Sequence, residues 1–189
     1  DCTWWFGGGI DLTPHYILPE EARAFHADLK SVCDAHDVAD YAAFKPWADR
    51  YFYSPHRGES RGVGGIFFDH LGRDGDADPH SALAFCVALA SAYSGIYQRR
   101  AQAFVDRPFS PLEKQWQGLR RGRYVEFNLV HDRGTRFGLV SGGRTESILM
   151  SLPSQANWAY DFRPQPGSRE EQTLEWLRQG EKGVDWLSA

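Results

Sequence analysis

The chain opens directly into an apolar, aromatic run, Cys2-Thr3-Trp4-Trp5-Phe6, closed by Gly7-Gly8-Gly9. Such a run reads as a buried strand that the glycines end, with Asp11-Leu12-Thr13-Pro14 turning the chain. A buried strand needs hydrogen-bonded neighbours, so the fold has to contain a sheet. The first residue is Asp rather than Met, and no charged leader with an apolar run opens the sequence. It therefore reads as a fragment or a processed chain, in which one side of the sheet awaits pairing from a preceding segment.

Helical periodicity dominates the rest of the chain. A helix is expected after Pro19, with Glu20 and Glu21 in its positive first turn and Phe25, Leu29, Val32, Cys33 and His36 on a buried face. Tyr41, Phe44, Ala48, Tyr51 and Phe52 predict a second helix, and Gly62-Val63-Gly64-Gly65 introduces a strand, Ile66-Phe67-Phe68-Asp69. The longest helical stretch covers residues 81–104, with Leu83, Phe85, Val87, Leu89 and Tyr93 expected inside. Ser110-Pro111-Leu112-Glu113 combines an N-cap, a first-position proline and a capping-box glutamate, which predicts a helix of about three turns ending near Gly122. Val125, Phe127 and Leu129 alternate with Glu126 and Asn128, the pattern of a half-buried strand. Asp132-Arg133-Gly134 would turn it back into an antiparallel hairpin with residues 135–140. Residues 157–160 read as a further strand, and Ser168-Arg169-Glu170-Glu171 as the start of a terminal helix. The expected class is α+β with an antiparallel sheet, in one domain over residues 1–189.

Composition narrows the function. At 189 residues, 42% hydrophobic and 14% aromatic, the chain can fill the core of one substantial domain, and disorder is disfavoured. No run of about 18 uninterrupted apolar residues predicts a transmembrane segment. Cys2, Cys33 and Cys86 are odd in number and have no C-x-x-C spacing, which points to a reducing, cytoplasm-like compartment. A net charge of −4 argues against a nucleic-acid-binding surface. Yet 17 of the 21 basic residues are arginine, and six of these fall between Arg120 and Arg144 with only Glu126 and Asp132 as acids. A local anion site is therefore expected on an acidic protein.

The triple glycine lacks the spacing of a phosphate loop. It reads either as a strand end or as a close approach for a large flat ligand, toward which Asp11 would offer acceptor oxygens to several N–H donors. Gly142-Gly143-Arg144 combines backbone N–H groups with a guanidinium, as in an anion-binding nest, whereas Arg120 and Arg121 read as a solvated helix end. None of the seven histidines has H-x-H, H-x-x-H or H-E-x-x-H spacing, and His26 and His56 read as packed or hydrogen-bonded side chains rather than metal ligands.

Taken together, Trp4-Trp5-Phe6-Gly7-Gly8-Gly9-x-Asp11-Leu12-Thr13-Pro14, Tyr51-Phe52-Tyr53, His56-Arg57, Arg61-Gly62-x-Gly64-Gly65, the run from Arg121 to Leu129, Asp132-Arg133-Gly134 and the run from Gly142 to Ser151 resemble the oxygen-dependent coproporphyrinogen III oxidases. The likeness runs in order over nearly the whole chain. It implies a flat antiparallel β-sheet sandwiched between layers of α-helices, of which this chain is the C-terminal portion, and a homodimer formed through the region from Tyr124 to Ala159. It also implies oxidative decarboxylation of two propionate side chains of coproporphyrinogen III to vinyl groups in haem biosynthesis. The products are protoporphyrinogen IX and CO2, with O2 as co-substrate and no flavin, haem or nicotinamide.

By the same resemblance Asp11 matches a catalytic aspartate that binds the inner pyrrole N–H groups, and Gly142, Gly143 and Arg144 match a substrate-binding loop. His26 and His56 match positions assigned to a divalent metal in bacterial members, while other members are metal-free. The family is cytoplasmic, or mitochondrial in some eukaryotic relatives. Its N-terminal segment, with a proton-donor histidine, an Asn-x-Arg motif and a serine contact, has no match here, so the chain is expected to be catalytically incomplete. The rival readings are a noncatalytic tetrapyrrole-binding module and a metal-dependent enzyme built on the histidines. The substrate's chemistry agrees with the residues: four carboxylates around an apolar macrocycle call for arginine at the rim and aromatic surface within.

Overall fold

Gly7-Gly8-Gly9, expected to end a strand, instead forms one. The computed structural model describes residues 4–75 and 77–189, so Cys2 and Thr3 of the opening run lie outside it. Strand β1 is Phe6–Asp11 and pairs antiparallel with β4, Gly65–Leu71. The register sets Gly8 opposite Phe68, Gly9 opposite Phe67 and Asp11 opposite Gly65. Glycine is required because β4 brings two adjacent aromatic rings against β1. A Cβ on Gly8 would stand 3.0 Å from the Phe68 ring, and one on Gly9 would stand 2.9 Å from the Ile66 carbonyl. Trp5, expected inside, is 49% exposed.

Between the two strands run α1 (Pro19–Asp34), α2 (Tyr41–Tyr51) and a short antiparallel pair, β2 (Tyr53–Ser54) with β3 (Glu59–Ser60). After β4 the described chain is helical: α3 (Pro79–Gln102), α4 (Pro111–Val130), α5 (Arg133–Val140), α6 (Thr145–Ile148) with a 3-10 turn, and α7 (Arg169–Leu177). The architecture is mixed α and β with small antiparallel sheets, consistent with the expected class.

Strand alternation divides the core. Ile66 and Phe68 point into the larger cluster with Phe25, Leu29, Phe44, Phe85, Leu177 and Trp186, where Phe44 stacks on Phe68 at 5.1 Å. Phe67 points the other way and joins Ala48, Phe52 and Phe127, with Tyr51 stacked on it at 4.5 Å. Helix α4 therefore reaches the face of β4 opposite to Phe68.

Two expectations fail on helices. In α3 the buried stripe is Ala82, Phe85, Leu89 and Ile96, whereas Leu83, Val87 and Tyr93 are exposed. Helix geometry explains this, since 83 and 87 share a face that the 82–85–89–96 stripe turns away from α1 and β1. Among the described helices α3 alone is long and apolar enough by composition to cross a bilayer.

The hairpin expected over residues 123–140 is two helices. Ser110 and Glu113 form the full reciprocal capping box, and the helix they start runs on past Gly122 to Val130. Trp116, Leu119, Arg120 and Phe127 bury one continuous face, so the two-residue alternation over 125–129 is subordinate to a helical stripe already under way. Asp132 is a helix cap rather than a turn residue; its carboxylate accepts from the Thr135 amide at 2.6 Å and opens α5. Residues 157–159 form no strand, and the Asn157 amide donates to the Gly118 carbonyl of α4 at 2.9 Å. At α7, Ser168 caps as expected, but Glu171 accepts from the Gly167 amide rather than completing the box.

Candidate functional site

Asp11 ends β1 with its carboxylate accepting a hydrogen bond from Arg61 Nη2. The approach depends on Gly65, because a Cβ there would collide with the Ile10 carbonyl, beside Asp11. Arg61 is 7% exposed and lies over three rings, 4.1 Å from Phe52, 4.8 Å from Phe127 and 5.0 Å from Tyr124. Aromatic faces attract a guanidinium, so Phe52 just after α2 and Tyr124 and Phe127 of α4 together hold the cation that orients Asp11. Arg61 Nε is buried without a hydrogen-bond partner among the described residues. Sequence alone gives Arg61 no role. Its only signal there is its place in the Arg61-Gly62-x-Gly64-Gly65 run that contributes to the family resemblance.

Residues 7–11, Phe68 and the α3 side chains Cys86, Leu89 and Tyr93 line an open cleft of about 430 Å³. It lies along the glycine strand, where the absence of side chains leaves backbone at the surface. This volume is in the range that accommodates small-molecule ligands. A larger concavity of about 780 Å³ between α4 and residues 156–165 contains none of the expected site residues.

Gly142, Gly143 and Arg144 do form a loop, but its amides are partly used. Gly142 has φ +74°, and the Gly143 amide donates back to the Gly138 carbonyl at 3.0 Å, which closes the C-terminus of α5. Arg144 projects outward with its side chain 79% exposed, 3.8 Å from Glu146. Asp11 and Arg144 share no contact among the described residues: the first is anchored on Arg61, the second stands free at the surface.

The two histidines also separate. His26 is fully buried, with Nδ1 2.8 Å from the Tyr41 hydroxyl and Nε2 2.9 Å from the Val63 carbonyl. Both ring nitrogens are engaged, so a metal there would have to displace one of these bonds inside the core. Burial lowers its pKa to about 4, which keeps it neutral at pH 7.

His56 sits in the turn between β2 and β3, its Nε2 2.9 Å from Glu126 and its Nδ1 2.9 Å from His131 Nε2. Glu126 also accepts two bonds from Arg57 at 2.8 and 2.6 Å and one from the Trp158 indole at 2.9 Å. Burial opposes its charge, but the bonds from Arg57, His56 and Trp158 outweigh that and hold the carboxyl at about 2. Glu126, read from sequence as the polar face of a strand, is the hub joining the β2–β3 turn, α4 and the segment after α6. No group of three or more His, Cys, Asp or Glu side chains converges as a metal site among the described residues.

Comparison with known proteins identifies the family of the chain. The profile of the coproporphyrinogen III oxidase family matches residues 1–186. A chloroplastic oxygen-dependent coproporphyrinogen-III oxidase of Glycine max is 52% identical over 172 residues, spanning 91% of this chain and 44% of its own. The corresponding Hordeum vulgare protein is 51% identical over 177 residues, with 92% and 44% covered. The oxygen-dependent coproporphyrinogen-III oxidase of Francisella philomiragia is 48% identical over 184 residues, with 97% and 58% covered. The chain thus spans about half the length of the curated relatives it matches.

Proposed function

Because the chain belongs to the coproporphyrinogen III oxidase family, we propose that it is the C-terminal portion of an oxygen-dependent enzyme that converts two propionates of coproporphyrinogen III to vinyl groups. Each turn removes one carboxylate as CO2 and one hydrogen from the neighbouring carbon, so that –CH2–CH2–COOH and O2 give –CH=CH2, CO2 and H2O2. The two electrons that leave the substrate reduce O2, and the balance needs no organic cofactor. The observation that carries the reading is the Asp11–Arg61 pair where the glycine strand β1 ends.

In this reading the second Asp11 oxygen and the free lone pairs of the first accept the inner pyrrole N–H groups, while Arg61 holds the carboxylate in position. Arg144, with Gly142 and Gly143, meets a propionate at the rim. Its exposure suits a residue that is covered only when substrate arrives.

The part of the family sequence that this chain does not span supplies the rest. Strand β1 has β4 on one edge only among the described residues, and α3 presents Leu83, Val87 and Tyr93 outward. Both features support a wider flat sheet between helical layers, with residues 1–189 belonging to one domain. Exposed Leu129, Val130, Phe137, Val140, Met150 and Trp158 support the region from Tyr124 to Ala159 as the surface of a homodimer. Buried, free Cys33 suits a reducing compartment, the cytoplasm or a plastid stroma.

The test is O2 uptake and CO2 release by the full-length protein with coproporphyrinogen III, with and without Asp11→Asn. Turnover that the substitution abolishes is the expected result. Substrate binding without O2 uptake would instead make the protein a noncatalytic tetrapyrrole-binding module.

A further inference from the structure

A small pocket of about 30 Å³ lies where β3, α4 and the end of α7 meet, lined by Glu59, Arg120, Arg123 and Arg178 with Trp116 and Phe162 among its walls. Glu59 is 3% exposed and accepts from Arg120 Nη1 at 2.7 Å. Arg123 Nε lies 3.8 Å from the same oxygen and Arg178 Nε 4.0 Å from the other. Three guanidinium groups therefore face one carboxylate. The second acid within reach of Arg123, Glu126, is also taken by Arg57. Four arginines share two carboxylates, so two positive charges stay uncompensated.

Arg120 is 3% exposed, and its Nη2 is buried with no hydrogen-bond partner among the described residues. An unmet buried donor is unfavourable, and the surplus positive charge around it, shared with the more exposed Arg57 and Arg178, attracts an anion. A water molecule would satisfy the donor and leave the charge. A small anion would satisfy both, and the pocket has room for one species of about water size. Phosphate or a carboxylate is too large for it.

We infer that the pocket between Arg120, Arg123 and Arg178 binds a single halide ion, chloride under physiological conditions. The ion tethers α4 to β3 and α7 through side chains already gathered there. Because α4 also carries Tyr124 and Phe127, which flank Arg61, the same ion stiffens the support of the Asp11–Arg61 pair.

The experiment is thermal unfolding of the full-length protein at fixed ionic strength while potassium gluconate is replaced stepwise by potassium chloride or bromide. The midpoint should rise by several degrees with either halide, growing with the logarithm of its concentration once the site is filled. In Arg178→Gln, whose side chain is 55% exposed and so dispensable for folding, that rise should be lost. Crystals grown in bromide should show one anomalous peak within hydrogen-bonding distance of Arg120 Nη2. Equal midpoints in chloride and gluconate, an unchanged rise in Arg178→Gln, or no bromide peak at Arg120 would each overturn the assignment.

Discussion

Asp11 on β1 accepts its hydrogen bond from Arg61, a guanidinium that is itself enclosed by the rings of Phe52, Tyr124 and Phe127. Removing the carboxylate leaves that buried cation without its partner, so Asp11→Ala is expected to cost about 1–3 kcal/mol of stability as well as activity. Asp11→Asn keeps an acceptor oxygen for Arg61 and should spare most of the fold. In the full-length protein its turnover should nonetheless fall about 100-fold or more, the scale of a positioned proton-transfer or charge-stabilising group. Near-normal kcat in Asp11→Asn would show that the carboxylate's charge has no catalytic part. Urea midpoints and kcat on the same preparations separate the two effects.

Among the described residues the Arg144 side chain makes only a loose approach to Glu146, so Arg144→Ala should leave stability within about 0.5 kcal/mol of the native value. Its cost should appear in kcat/KM, by about 1.5–3 kcal/mol if it pairs with a substrate carboxylate. Arg144→Lys should recover only part, because it keeps the charge and loses the two-pronged geometry. Steady-state kinetics in which the lysine and native forms were equal would remove the fork from the account.

Two glycines should respond to alanine in opposite directions. Gly65 opposes Asp11, and a Cβ there would run into the Ile10 carbonyl, so Gly65→Ala must part β4 from β1 at a cost of about 2 kcal/mol or more. Gly95 lies inside α3 with only the end of the Arg99 side chain near, at 3.5 Å. Gly95→Ala should stabilise by about 0.5–1 kcal/mol, through helix propensity alone. Denaturant melts of both variants read the signs directly.

Stability should decline on the acid side through two neutral histidines. His26 is lowered to about 4 by burial, with a partial opposing effect from the Val63 carbonyl, and His15 to about 4 by burial and by the charges of Arg121, Arg120 and Lys114. An unfolded histidine takes its proton near 6.5, whereas these do so only near 4. Between those values the unfolded histidines bind more protons, so the contribution of these two groups to stability rises with pH from 4 to 6.5 and is flat above. Asp49, which burial raises to about 6, contributes in the opposite direction. His26→Gln should flatten part of that limb, leaving the share of His15. A pH series of urea midpoints whose acid slope was identical in His26→Gln would contradict the neutral, buried state of His26.

The C-terminal segment is held to the core by Trp186 as well as by Lys45, which donates to the Val184 carbonyl. Trp186 Nε1 donates to Val63 O at 2.8 Å, the same acceptor that His26 Nε2 approaches at 2.9 Å. Trp186 is 2% exposed, so Trp186→Ala should cost about 3–5 kcal/mol by emptying its place in the core. Trp186→Phe keeps most of the packing and loses the bond, for about 1 kcal/mol. Chemical denaturation of both variants gives the split.

Local chemistry in the sequence determined the starts of the helices, because a cap needs only residues three apart: Ser110 with Glu113, Ser168 with Glu171 and Pro19 before its acidic turn all stand where expected. It also determined the strand after Gly65 and, through runs such as Trp4 to Pro14 and Gly142 to Ser151, the family. Where elements end and which face is covered was decided by tertiary structure. Gly7-Gly8-Gly9 is strand only because Phe67 and Phe68 lie across from it, and residues 123–130 are helix only because Phe127 has Phe52 and Ala48 to pack against. Arg61 is likewise unreadable in one dimension. It lies 50 residues from Asp11 in sequence, and the aromatic box that makes it a partner is assembled from Phe52 after α2 and Tyr124 and Phe127 of α4. Periodicity reports which residues avoid water, whereas pairing depends on which surfaces the folded chain brings into contact.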